Sequence, residues 1–387
     1  MNLNKWKNGI LPALLIHGSI GTIYCWSLLT PKLLEIIGEC STWAFSVAVF
    51  MMGMSAALLG PIVEKHLKKS AILSSILFGV GMILSGVACS VGSVHLFIAG
   101  YGILMGIGIG LGYLSPIKTL MQWFKNNKGL ATGLAISGFG FSKVFAAPGF
   151  NYFIHNFGLE TMFYFHGVFY TIVMLIAGFL LKIPEDEEIN KERISLRVWF
   201  DRLFTAIKSP GLWIYWALFY INITAGLAIV SYEYFFFTSA GYAAMGLGFC
   251  LSMAAIFNFA GRLGAGWLSD SMKDRSKILG LILLLSVLSC MLGFIFPGFV
   301  PFSVLFCNAG YGAMFAVMPS ILSDRFGMTK LNETYGIILS AMAFAGLTGN
   351  QLATWAVNIP GSTHQTLILF AGIIYTIGLY ISVKFWK

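Results

Sequence analysis

Three positively charged side chains lie inside long apolar stretches of the sequence: Lys118, Lys143 and Arg262. A charged side chain in apolar surroundings is unfavourable by several kcal/mol unless it faces protein or water, so such residues mark functional sites by default. The guanidinium of an arginine can hold a carboxylate through two parallel hydrogen bonds. Glu233 is the one acidic residue well inside such a stretch. This excess of positive charge predicts a binding site for a small anion.

The composition places these residues in a membrane protein. Hydrophobic residues make up 58% of the 387-residue chain and charged residues 10%, against about 25% in an ordinary soluble domain. A soluble protein could not cover so much apolar surface, which excludes a cytosolic enzyme. The six cysteines form no CxxC pair, and no catalytic triad or metal cluster is visible, so we expect no cofactor and no metal.

Twelve apolar stretches are long enough to cross a bilayer as helices, which needs about 20 residues. They run approximately over 9–30, 43–63, 70–91, 94–118, 127–151, 161–183, 211–236, 242–268, 277–297, 300–323, 332–356 and 364–386. The start of the chain predicts a retained first membrane helix rather than a cleaved signal. The expected fold class is therefore an all-α membrane protein with twelve transmembrane helices.

The charge distribution predicts the orientation of these spans. Twenty of the 24 Lys and Arg residues lie in the termini, the even-numbered connections and the central connection, whereas Lys32 lies on the other side. Because cytoplasmic loops are enriched in Lys and Arg, both termini should be cytoplasmic. The same distribution explains the net charge of +9, so no nucleic-acid partner is expected.

One long polar segment, residues 183–210, separates six spans from six. We predict an N-terminal half over 1–183, a cytoplasmic linker over 184–210 and a C-terminal half over 211–387. From about Leu196 the linker has apolar residues at helical spacing among basic ones. This pattern favours an amphipathic helix on the inner leaflet, and a solvated linker is the alternative.

The two halves repeat each other at offsets of 203 to 206 residues. The connection after span 2 has a Gly four residues before Glu64, and the connection after span 8 has a Gly four residues before Asp270; basic residues follow in both. Pro116 in span 4 matches Pro319 in span 10. Such a repeat predicts two six-helix halves that hold a substrate between them near the middle of the membrane and alternate access by rocking.

These doubled Gly-x-x-x-acid-basic connections resemble the major facilitator superfamily. Three further segments, GTIYCWSLLTP (21–31), GIGLGYLSPIKTLMQWFKNNKGLATGLAISGFG (108–140) and NFAGRLGAGWLSD (258–270), resemble the oxalate/formate antiporter family, a neighbour of the monocarboxylate transporters. The resemblance implies that Arg262 binds a carboxylate. From the residues alone, the alternative is a structural arginine that caps carbonyl groups or pairs with Asn258, one turn earlier. The resemblance also implies a lysine in span 11, where this sequence has Met342. Two cations suit a dicarboxylate, whereas one suits a monocarboxylate or a weaker dianion site, so the resemblance does not extend to specificity for oxalate.

Several other residues are candidates for the same pocket. Lys143 is either a second cation of the pocket or a lysine that extends toward the outer surface. The resemblance implies an aromatic box, and polar residues in span 7 add to it; these candidates are Tyr24, Trp26, Tyr113, Tyr311, Phe315, Asn222 and Thr224. For each of them, packing between helices is the alternative role.

Two residues could couple transport to protons. Glu233 could take up a proton if it is buried, but its place near the outer end of span 7 favours an interfacial glutamate. His17 in span 1 titrates near neutrality in water, although a buried histidine is more often a structural hydrogen bonder. Charged residues near the cytoplasmic helix ends are predicted to act in gating: Glu64, Lys65, Asp270 and Arg275.

We therefore predict a secondary transporter, not an enzyme, for a mono- or short dicarboxylate, with antiport favoured. One alternative is a proton-coupled symporter of the lactate or pyruvate type. Another is a transceptor, which binds a carboxylate and signals without flux. The expected partners are the carboxylate and the lipid bilayer, the expected state is a monomer, and the expected location is the cell membrane, the inner membrane in a bacterium.

Overall fold

The computed structural model describes residues 3–124, 128–184, 196–242, 244–327, 330–360 and 363–385. Regular secondary structure within these residues is helical throughout. Long helices follow the order of the predicted spans and carry the same numbers. They are α1 (Leu3–Ile36), α2 (Glu39–Leu58), α3 (Leu67–Ser90), α4 (Val94–Trp123), α5 (Lys128–Phe157), α6 (Leu159–Leu180), α7 (Pro210–Val230), α8 (Ala244–Ser271), α9 (Lys277–Ile295), α10 (Pro297–Phe326), α11 (Leu331–Val357) and α12 (His364–Phe385).

Eleven helices in the described part of the chain are long and apolar enough to cross a membrane. The remaining long helix is α5, which carries Lys143 and Pro148 in its interior. Large apolar side chains stay exposed on the outside of the bundle; examples are Trp267, 78% exposed, and Phe145, 73% exposed. Such a surface is unfavourable in water and fits contact with lipid. The predicted class, an all-α membrane protein, is confirmed.

The first six helices meet the last six along two seams. In the first seam α2 packs along α11, and in the second α5 packs along α8. Small residues allow the close approach in the first seam, because a Cβ on Gly53 would lie only 2.8 Å from the Cβ of Ala343. At the end of this seam, Asn350 donates hydrogen bonds to the carbonyl oxygen of Thr42 (2.8 Å) and to Ser46 (3.1 Å).

Local breaks in two helices position residues of the interior. Helix α1 tightens to a 3-10 turn over Gly21–Cys25, where it lies so close to α5 that a Cβ on Gly21 would be 2.8 Å from the Cβ of Ser142. Helix α7 ends at Val230, and a short helix, Glu233–Ser239, continues after a two-residue turn. This turn directs Glu233 into the bundle, where its side chain is fully buried.

The second part of the predicted linker forms a helix, Leu196–Ile207, whereas residues 185–195 lie outside the described residues. Trp199 on this helix is buried and lies beside Gly60 of the first half and Gly336 of the second. Phe204, on another face, is 61% exposed. This segment is thus helical, with one buried and one exposed side, and it covers one end of the bundle; its place at the inner leaflet stays a prediction. We call this end the linker side.

The predicted orientation can be tested with reporter fusions. Because most basic residues lie on the linker side, we expect that side to be cytoplasmic. Green fluorescent protein fused after Lys387 should fluoresce, and alkaline phosphatase fused there should be inactive. As a control, fusions after Gly38, in the connection between α1 and α2, should give the reverse pattern. Active phosphatase after Lys387 would contradict the prediction.

Candidate anion-binding site between the halves

Arg262 lies in α8 and its side chain is buried, with 3% of the residue exposed. Its Nε donates a hydrogen bond to Oδ1 of Asn258, one turn earlier, at 2.9 Å. Its guanidinium carbon lies 5.4 Å from the ring centre of Phe315 in α10, within the range of a cation–π interaction. The head group therefore points into the protein and not toward lipid.

One nitrogen of the guanidinium is available for a ligand. Among the described residues, Nη1 of Arg262 is buried without a hydrogen-bond partner. The ion pairs found there likewise include none between Arg262 and a carboxylate. A buried charged donor without a partner is strongly unfavourable, and a bound anion would remove that penalty.

Tyrosines from both halves surround this cation. The hydroxyls of Tyr24 in α1 and Tyr311 in α10 are 3.0 Å apart, and their rings meet edge to face. The hydroxyls of Tyr113 in α4 and Tyr335 in α11 are 3.3 Å apart. The charge of Arg262 interacts electrostatically with all four of these residues. Tyrosine hydroxyls can donate to carboxylate oxygens, so the predicted aromatic residues, Trp26 excepted, converge on Arg262.

Tyr335, which meets Tyr113, also lines a small cavity on the linker side. This cavity has a volume of about 40 Å³, enough for one or two water molecules. Its lining includes Tyr335, Lys118 and Trp199. On this side the two tyrosines join the halves, and Trp199 of the linker helix lies beside residues of both halves.

Asn222 in α7 adds an unpartnered amide. Its side chain is fully buried, and within the described residues neither its Oδ1 nor its Nδ2 has a hydrogen-bond partner. On the same helical face, the ring of Phe219 contacts that of Phe315 at 5.0 Å, and Gly226 packs against Tyr311. Asn222 therefore faces the same aromatic residues of α10 that adjoin Arg262.

Lys143 and Glu233 form a buried ion pair with each other. The second oxygen of Glu233 accepts a hydrogen bond from Nδ2 of Asn308 in α10 at 2.9 Å. Lys143 thus neither extends to the surface nor offers its charge to a ligand directly. The interpretation of Glu233 as an interfacial glutamate is wrong, because the turn after α7 brings it into the bundle.

Three predicted residues, Trp26, His17 and Thr224, are held within one half, and a fourth residue, Met342, stands where the resemblance implies a lysine. Trp26 is stacked on Phe45, with ring centres 5.3 Å apart, in the core of the first half. The ring nitrogens of His17 lie against the carbonyl oxygens of Tyr113 and Ala135, as expected for a structural hydrogen bonder. Thr224 contacts Thr348 within the second half. Met342 is buried in α11.

The residues predicted to act in gating lie at the linker side. Lys118 donates to Glu64 at 3.1 Å within the first half. Arg275 pairs with Asp270 at 3.0 Å within the second half, and Lys65 is exposed. These two ion pairs do not join the halves, so a role in gating stays a prediction. An ionic contact between linker and second half runs instead from Arg202 to Glu333, at 3.6 Å.

The comparisons with known proteins agree with this architecture. The family model described as Major Facilitator Superfamily matches residues 10–384. The chain belongs to the major facilitator superfamily. It is therefore a multi-span membrane transporter and not an enzyme.

Two relatives cover most of the chain at low identity. The chain is 25% identical over 362 residues to the oxalate:formate antiporter of Oxalobacter formigenes, which covers 90% of this chain and 84% of that protein. It is also 25% identical over 367 residues to monocarboxylate transporter 12 of Mus musculus, covering 85% of this chain and 74% of that protein. The predicted resemblance is confirmed, and a bacterial inner membrane fits the bacterial relative.

A solved major facilitator structure shares the fold. The xylose transporter XylE from E. coli, in a partially occluded inward-open conformation, superimposes with a TM-score of 0.72 at 14% sequence identity, covering 98% of each chain. At this identity the likeness concerns the fold alone.

Sequence reasoning missed four residues of the interior: Phe219, Asn308, Tyr335 and Phe139. The ring of Phe139 meets those of Tyr24 and Tyr113 edge to face. Each of the four is one of many similar residues in an apolar span, and its type alone did not distinguish it. For Asn308, a polar side chain four residues before Gly312 in the middle of span 10 was the available signal. Asn258 was recognised only as a possible partner of Arg262, which it is.

Gly140 in α5 offers a test of the site. A Cβ there would lie 2.8 Å from Oδ1 of Asn258 and 3.1 Å from Nε of Arg262. Gly140→Ala should therefore displace the guanidinium and weaken the binding of small carboxylates by roughly tenfold, or about 1.4 kcal/mol. The measurement is a thermal-shift titration of the purified protein, since a ligand of the folded state raises its melting temperature.

Gly264→Ala is the matched control, because a Cβ at Gly264 on the same helix as Arg262 meets nothing within 4 Å. Gly264→Ala should not lower the melting temperature without ligand, since alanine favours a helix over glycine. In Gly140→Ala the same gain opposes the cost of moving two buried side chains, so affinity and not melting temperature alone is the readout. Equal affinity of Gly140→Ala and the unmodified protein would contradict the assigned site.

Proposed function

We propose that this protein carries a small organic carboxylate across the membrane by alternating access. The observation that carries the proposal is the buried guanidinium of Arg262, whose Nη1 lacks a partner among the described residues. A carboxylate matches that group in charge and in planar geometry. Asn222 and the hydroxyls of Tyr24 and Tyr311 supply further groups that can bind its oxygens or substituents.

Two relatives support the same substrate class. One is named for exchange of oxalate and formate and the other for monocarboxylates, and all of these are carboxylates. Their identity to this chain is about 25%. The proposal of a carboxylate substrate therefore rests mainly on the chemistry of Arg262 and its neighbours.

Contacts between the two halves lie on both sides of Arg262 along the bundle, as alternating access requires. Toward the linker side, Tyr113 and Tyr335 join the halves. Away from the linker side, the ion pair of Lys143 and Glu233 joins them. A substrate could leave toward either side only after one of these contacts breaks, and the other could then keep the opposite side closed.

Arg262→Ala tests the proposal. Truncating one partner of a buried charge pair costs about 2–5 kcal/mol, so carboxylate uptake into proteoliposomes should fall about 30-fold or more. Arg262→Lys keeps the charge but loses the planar fork, and uptake should be intermediate. Folding should be retained in both variants, because Arg262 has no ion-pair partner among the described residues to lose.

Lys384→Ala is the control, since this lysine lies near the end of α12 beside the ring of Tyr380. It should transport like the unmodified protein. Unchanged uptake by Arg262→Ala, in protein that melts normally, would refute the proposed site.

We further propose that exchange is favoured over net transport. With a carboxylate bound, the charge of Arg262 is balanced; without it, the carrier would have to reorient with an uncompensated buried cation, which is unfavourable. The pair of Lys143 and Glu233 is neutral and does not supply the missing charge. Proton symport is the second candidate, favoured by the complete burial of the Glu233 carboxylate.

Counterflow separates the two mechanisms. Proteoliposomes loaded with unlabelled pyruvate should take up labelled pyruvate at least about tenfold faster than empty vesicles, because the loaded carrier reorients with balanced charge. An imposed pH gradient should add little. Uptake into empty vesicles that follows an inward proton gradient, and is lost in Glu233→Gln but not in Lys384→Ala, would instead establish symport.

A further inference from the structure

The interior contains a second cation, Lys143, whose charge is compensated by the carboxylate of Glu233. The side chains of Lys143 and Glu233 are 3% and 0% exposed, and they pair directly across the two halves. Asn308 holds the remaining carboxylate oxygen of Glu233 at 2.9 Å. Glu233 therefore stands where a carboxylate bound to Lys143 would stand.

This pair lies about one helical turn from Arg262. On α5, Lys143 follows Gly140 by three residues, and Gly140 contacts Arg262 and Asn258. On α10, Asn308 precedes Gly312 by four residues, and a Cβ on Gly312 would lie 2.9 Å from Oδ1 of Asn258. One turn rises about 5.4 Å, so the pair and Arg262 lie in neighbouring layers of the bundle.

Along α11 the same interior face carries no further cation. Met342 follows Tyr335 by seven residues, or two turns, and so lies on the face that Tyr335 presents to Tyr113 of the other half. Met342 is 1% exposed and uncharged. Among the described residues, Lys143 is paired with Glu233, whereas Arg262 has no carboxylate partner.

We propose that Glu233 makes the site selective for monoanions by occupying Lys143. The inference rests on the proposed function and names its substrate class: a monocarboxylate binds Arg262, whereas the second carboxylate of a dianion would be desolvated without a counterion. Removing the charge of Glu233 releases Lys143, which then accepts that second carboxylate. Glu233 is thus a specificity residue that acts through Lys143.

The test compares monoanions with dianions on three proteins. Thermal-shift titrations use acetate and pyruvate against oxalate and malonate at pH 7.5. The unmodified protein should bind the monocarboxylates at least about tenfold more tightly. Glu233→Gln should gain affinity for the dicarboxylates by about tenfold or more. Lys143→Gln/Glu233→Gln is the matched control, because it lacks the same carboxylate but has no lysine to release, and it should show no gain.

The outcomes distinguish a failure of the proposed function, carboxylate transport, from a failure of the proposed role of Glu233. If no carboxylate stabilises the unmodified protein, the proposed function fails. If dicarboxylates bind the unmodified protein as tightly as monocarboxylates, or if the double variant gains dianion affinity like Glu233→Gln, the function stands and the role of Glu233 is overturned. Normal folding of Glu233→Gln with unchanged selectivity also overturns it.

Glu233→Gln leaves a buried lysine without its partner and could fail to fold. In that case the charge-exchanged variant Lys143→Glu/Glu233→Lys tests the role of the pair, because it keeps a neutral buried ion pair. It should retain the preference for monocarboxylates. Tight dicarboxylate binding by this variant would contradict the role of the matched pair.

Discussion

The uncompensated charge of Arg262 is the constraint on which the interior depends. Keeping a guanidinium out of water is tolerable only where polar groups and ring faces partly replace its hydration. Asn258 and Phe315 supply these contacts from α8 and α10, while Gly140 leaves room for the side chain on α5. The contacts are incomplete at Nη1, and in the proposed function that incompleteness gives a carboxylate its binding energy.

Polar contacts between the halves are arranged in layers along the bundle. The hydroxyls of Tyr24 and Tyr311 meet near Arg262. Tyr113 and Tyr335 meet toward the linker side, and the ion pair of Lys143 lies toward the other side. Because each layer joins different helices, rocking of the halves can open one layer while another persists. The helix of Trp199 adds a cover on the linker side that the sequence suggested only as an amphipathic segment.

Residue type predicted more of this site than did position along a helix. Arg262 could be identified from sequence because a charge in an apolar span is conspicuous at any rotation of the helix. Tyr24 and Trp26 could not be separated, since which one faces the partner half depends on how α1 is rotated and on its 3-10 turn. Lys143 and Glu233 were both recognised, but their pairing depends on the turn after Val230, which an apolar pattern does not reveal.

The ion pair of Lys143 and Glu233 is better explained by selectivity than by stability. A buried ion pair is rarely more stabilising than well-packed apolar residues of the same volume, because both charges lose their hydration. Two apolar residues would also close this layer without net charge, but they would include no cation that the loss of one carboxylate could release. A matched pair keeps a lysine near the anion site while withholding its charge. The charge of one carboxylate then determines how many negative charges the site accepts.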